Sequence, residues 1–136
     1  MIDDRTAPYG AAILRITAGL AFLAHAAIKF FVFTPAGTMH YFASLGLPGT
    51  FGLFVIAWET LAGLALVLGV YGRIAAILIL PDLIGAIWLV HLHNGFVFAA
   101  PGGGWEYPAF WAITLVVIAL LGEGAWAMRP TVIPAR

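Results

Sequence analysis

Residues 51–70 read FGLFVIAWETLAGLALVLGV, twenty residues carrying one charge, Glu59. The hydrocarbon core of a bilayer is about 30 Å thick and takes about 20 mostly apolar residues of helix to cross. A helix satisfies its own backbone polar groups, which lipid does not do for any open structure. The stretch therefore predicts a transmembrane helix. Three more stretches are long and apolar enough, at residues 9–33, 73–93 and 106–128. They predict an all-α integral membrane four-helix bundle, with residues 1–136 forming one domain.

Composition agrees. Of the 136 residues, 63% are apolar and 9% charged, against about 25% charged in soluble domains. The formal net charge is zero, which points away from a nucleic-acid partner and toward the lipid bilayer. Cysteine is absent, so disulfides, thiolate metal ligands, covalent c-type haem and a dithiol relay within the chain are excluded, and no metal site is expected. Ala24-His25-Ala26 imitates a signal-peptide cleavage site, but Asp3, Asp4 and Arg15 oppose that reading.

The connections differ. Tyr71-Gly72 reads as a tight turn. Between Thr34 and Thr50, the breakers Pro35, Gly37 and Gly46 to Gly49 leave room for a short helix over Thr38 to Leu45. Asn94 to Trp105 is a second long connection, and Pro108 suits the first turn of the last helix. Arg5, Arg73, Arg129 and Arg136 fall on one side, whereas both long connections lack Lys and Arg. Positive residues stay inside, so both termini are expected in the cytoplasm (N-in/C-in), in a cell inner membrane.

Ionisable residues inside a span cost about 2.5–3.5 kcal/mol on insertion scales and should face protein or water. At about 100° per residue, Arg15, Gly19, Phe22, His25 and Lys29 fall on a stripe about 120° wide. Glu59 shares its face with Gly63, which lets another helix approach, so a partner on the first helix, Arg15 or Lys29, is expected. Asp82 follows Pro81 and could manage the missing backbone bond. His91 and His93 fall on nearly opposite faces of a regular helix. Glu106 sits where a helix dipole favours an acid. Glu123 is expected to pair with Arg15 or Arg129.

Several segments together resemble the DoxX family of small four-helix membrane proteins. They are LRITAGLAFLAHAAIKF (Arg15, Gly19, Phe22, Lys29), YFASLGLPG (Phe42, Gly46, Pro48), WETLAGLALVLGVYGR (Glu59, Gly63, Gly69, Arg73), HLHNGF (His91, Gly95, Phe96) and GGWEYP (Glu106, Tyr107). The resemblance implies a link to thiosulfate- or quinone-related oxidoreductase systems, to detoxification of quinones and oxidants, or to membrane redox complexes. On that reading His91, Glu106 and Lys29 are the candidate catalytic groups. Glu59, Arg15 and His25 are the candidate substrate-binding groups, and a quinone is the candidate cofactor or substrate. The competing expectation is a non-catalytic accessory or assembly subunit, working with other membrane subunits or as a homo-oligomer. A b-type haem between His25 and His91 is the least favoured reading.

Overall fold

The computed structural model describes residues 3–132; Arg136 lies outside them. Among the described residues the chain is all-helical, in five helices. These are α1 (Ala7–Val32), α2 (Thr34–Ser44), α3 (Phe51–Leu68), α4 (Gly72–Asn94) and α5 (Glu106–Leu121). Three of them, α1, α3 and α4, are long and apolar enough to cross a membrane. Large apolar side chains such as Leu20, Phe31, Leu61, Ile77, Trp88, Phe110 and Ile113 point outward. Water-soluble monomers rarely leave so extensive an apolar surface uncovered; here it faces lipid.

The buried core draws on all four longer helices: Ala18 and Phe22 of α1, Ala62 and Leu66 of α3, Ala76, Ile79 and Leu83 of α4, and Trp111, Leu115 and Ile118 of α5. Helix α1 packs mainly on α3, and α4 on α5. The α1–α3 contact is set by two glycines. A Cβ at Gly19 would stand 2.8 Å from the Gly63 carbonyl oxygen, and one at Gly63 would stand 2.9 Å from the Gly19 oxygen. The close approach expected at Gly63 is therefore made to α1.

The helix ends follow local chemistry. α1 and α2 each begin with proline in the first turn. The last turn of α1 widens, its Phe33 N–H donating to Ile28 O at 3.0 Å. The Thr38 hydroxyl of α2 donates to Lys29 O at 2.9 Å, which folds the short helix back onto α1. Helix α2 matches the expected short helix and begins four residues earlier. α3 ends at Gly69, whose φ of 67° is the left-handed cap, and the next turn starts α4 at Gly72. Pro81 lies inside α4 without ending it and is exposed.

The stretch expected to span residues 106–128 is shorter than its composition implies. α5 stops at Leu121 after 16 residues, or about 24 Å of helix. The Arg73 guanidinium from α4 takes the Ala119 and Leu120 carbonyls at 2.8 and 3.2 Å. The chain then runs back across the ends of the other helices. Ala125 N–H donates to Pro8 O at 2.8 Å, Met128 N–H to Leu68 O at 3.0 Å, and Arg129 N–H to Gly69 O at 3.1 Å. Residues 122–131 form a clasp across one end of the molecule; the long connection 95–105 lies at the other.

Candidate functional site

Arg15 is fully buried at the clasp end. Its Nε donates to Glu123 O at 2.8 Å, one terminal nitrogen to Leu66 O and to Val67 O at 2.8 Å, and the other to Ala125 O at 3.2 Å. The guanidinium thus satisfies carbonyls at the C-terminus of α3 and in the clasp, where a cation also meets the negative end of the helix dipole. Glu123 does not pair with Arg15 or Arg129 through its side chain. Its Oε1 accepts from the Arg73 N–H at 2.9 Å and from the Thr131 hydroxyl at 2.6 Å, and its Oε2 is 4.0 Å from Arg73 Nε. The difference is one of geometry: α5 ends before Glu123, which turns the acid to the start of α4. Burial pushes this carboxyl up, but the bonds from Thr131 and Arg73 outweigh it and hold it below the usual carboxylate range.

Lys29 stands on α1 fourteen residues from Arg15, about 21 Å along the helix. Its Nζ donates to both Glu59 oxygens at 2.8 Å. Glu59 is buried on α3, so the expected partner on the first helix is Lys29. Asp82 of α4 stands beside this pair, within interaction reach of both Glu59 and Lys29. Its neighbour Pro81 gives no sign of this placement in the sequence.

His91 and Glu106 sit at the roots of the 95–105 connection. His91 Nδ1 is 2.8 Å from Gly103 O. A carbonyl only accepts, so Nδ1 carries the hydrogen and Nε2 is left for another partner. Asn94 donates to Val90, Gly102 and Gly103 carbonyls at 3.0–3.1 Å. Glu106 Oε2 accepts from the Phe98 N–H at 3.1 Å. Both residues fasten the connection. Among the described residues no hydrogen bond joins His91, Glu106 and Lys29 to one another.

His25 is exposed on α1 and lies against Trp111 of α5, with ring centroids 5.1 Å apart. Trp111 also meets Phe22 at 4.3 Å and Tyr107 at 5.8 Å. Its indole Nε1 is buried with no hydrogen-bond partner among the described residues. Buried donors are nearly always paired, so this one stands apart from the other buried polar groups of the described residues. The sequence reading missed Trp111. The available signal was a tryptophan inside a span, away from the interfacial belts where tryptophan usually lies.

Comparisons with known proteins bear on this arrangement. The DoxX family model matches residues 10–92. A Bacillus subtilis (strain 168) protein named "Putative oxidoreductase CatD" is 32% identical over 123 residues, covering 90% of this chain and 87% of that one. No solved structure gives a significant match. The family match covers more than half of the chain, through α1, α3 and most of α4, and the chain belongs to the DoxX family.

Proposed function

We propose that this DoxX protein has a redox-linked role in the bacterial inner membrane and binds a quinone between α1 and α5, at the end closed by the 95–105 connection. The supporting observation is the unpaired Trp111 indole N–H beside His25. A quinone arriving from the lipid side meets the exposed rings of His25 and Tyr107, and a small shift of Trp111 brings a quinone carbonyl oxygen onto that donor. The printed name of the Bacillus subtilis relative is in keeping with a redox role. Lys29, Glu59 and His91 are the proton-handling groups in this reading, with Glu106 holding the connection in place. Arg15 is left to structure. With no cysteine in the chain, electrons come from the substrate or from a partner protein.

The orientation belongs to the same proposal. Arg5, Arg73 and Arg129 flank the clasp end, and the segments 34–50 and 94–105 hold no Lys or Arg. The positive-inside rule then puts the clasp in the cytoplasm, with four crossings and both termini inside. Helix α5, though short, completes the fourth crossing with the clasp beneath it.

The alternative is a non-catalytic subunit of a larger membrane complex. The observation favouring it is that His91, Glu106 and Arg15 all make structural bonds. One experiment separates the two readings: titration of the detergent-purified protein with a short-chain benzoquinone, read by tryptophan quenching. Trp111→Phe keeps the ring and removes only the donor, and should weaken binding about tenfold, the value of one hydrogen bond. His25→Ala should weaken it as well. Equal affinity in wild type and both variants, or no binding at all, refutes the quinone site and leaves the accessory role.

A further inference from the structure

Charge does not balance where α1, α3 and α4 meet. Lys29 brings one positive charge, while Glu59 and Asp82 bring two carboxyl groups. The ammonium is bound through both oxygens of Glu59 at 2.8 Å, which uses two of its three donors, and its single positive charge offsets only one carboxylate. Glu59 is buried and Asp82 half-buried. A second, uncompensated carboxylate in so dry a place is strongly disfavoured, and two acids sharing one site do not both ionise.

We propose that Glu59 and Asp82 hold one proton between them, balanced by a charged Lys29, so that the interior of this protein carries a built proton-binding site. The groups around it permit this count. On α1 the next titratable residue along the same face is His25, whose ring is turned to Trp111. On α2, His40 and Tyr41 are exposed. On α5, Glu106 is exposed with its carboxylate on the Phe98 N–H, and Tyr107 is exposed. Among the described residues, none of them offers the triad a second cation by hydrogen bond. Two interacting acids titrate as a pair, so the proton belongs to the pair and not to one residue. Acids at this depth commonly mark proton paths, and His25 stands four residues from Lys29 toward the Trp111 ring. The inference does not need the quinone reading; it holds for any role that loads or releases a proton at this depth.

Infrared spectroscopy of the full-length protein in detergent at neutral pH, in water and in heavy water, tests it. An exposed carboxyl is ionised at that pH, and so is Glu123. A deuterium-sensitive protonated-carboxyl band should therefore come from the pair alone. Asp82→Asn and Glu59→Gln should each abolish it, because the acid that remains ionises against Lys29. Lys29→Met should instead enlarge it to about two carboxyls, since neither acid then has a counterion. Absence of the band in wild type, or its survival in Asp82→Asn, overturns the proposal, and so does a band unchanged by Lys29→Met in folded protein. If Lys29→Met or Glu59→Gln fails to fold, wild type against the near-isosteric Asp82→Asn decides alone.

Discussion

Replacing Arg15 by Met removes a fully buried guanidinium and leaves four backbone carbonyls, those of Leu66, Val67, Glu123 and Ala125, without their donor. Hydrogen bonds to a charged group contribute about 1.5–3 kcal/mol each, so four could total about 6–12 kcal/mol. Two effects reduce this. The variant no longer has to bury an ion, which alone costs several kcal/mol. The carbonyls also lie at the end of α3 and in the clasp, where water can take over some bonds. The net loss should fall in the range of about 3–5 kcal/mol seen when one partner of a buried charged network is removed. Arg15→Lys should recover only part of it, because an ammonium on a single stem cannot reach both α3 and the clasp with a planar fork. Unfolding in mixed detergent–dodecyl sulfate micelles, followed by helical circular dichroism, measures the difference. Ile13→Ala, on the lipid-facing side of the same helix at 60% exposure, is the control for a nearby apolar change. If Arg15→Met unfolds within about 1 kcal/mol of wild type, smaller than one charged hydrogen bond, the guanidinium does not hold the clasp and the reasoning fails.

Two other outcomes follow from the packing and the charge distribution. Gly19→Ala puts a methyl group 2.8 Å from the Gly63 carbonyl oxygen and should destabilise α1 against α3 by about 1–3 kcal/mol, the usual effect of overpacking; a neutral or stabilising result in the same unfolding assay would contradict that contact. Single cysteines at Ser44 and Ala99, both exposed, should react with a membrane-impermeant maleimide in intact cells, and labelling only after the cytoplasm is opened would invert the proposed topology.

Much of this architecture was legible because the bilayer imposes it. Apolar runs of the right length located α1, α3 and α4 to within a few residues, and Pro35 with the 46–49 breakers isolated α2. Gly63 and Glu59 on one face of α3 gave both the close approach to α1 and the cationic partner. The failures share a cause: each depended on a backbone group or on a distant residue. Ala125 to Met128 continue an apolar pattern, but the backbone leaves the helix at Gly122, whose φ is 93°, and Arg73 of another helix takes the carbonyls freed there. Arg15 was expected to meet an acid, yet it meets carbonyls, which every residue carries and no sequence pattern marks. His91 and Glu106 share a depth with Lys29, but depth says nothing of direction, and both turn to the connection beside them. Asp82 was read against its neighbour Pro81 when its partners lie on α1 and α3.

The distribution of satisfied and unsatisfied groups argues where function lies. At the clasp end, Arg15, Arg73, Glu123 and Thr131 are matched by acceptors or donors already present in the chain. Such a network explains itself as structure. Farther along the same helices the match breaks down twice. Lys29 and Glu59 already make a neutral pair, and Asp82 is an acid beyond it. Trp111 holds a buried N–H that Phe would not carry. A chain under no demand but folding would do as well with apolar residues at both places, since a buried polar group without a partner only subtracts stability. Departures from local consistency of this kind gather where a protein does its work. Both lie on the side of the molecule away from the clasp, which is where a proton or a carbonyl oxygen would complete them.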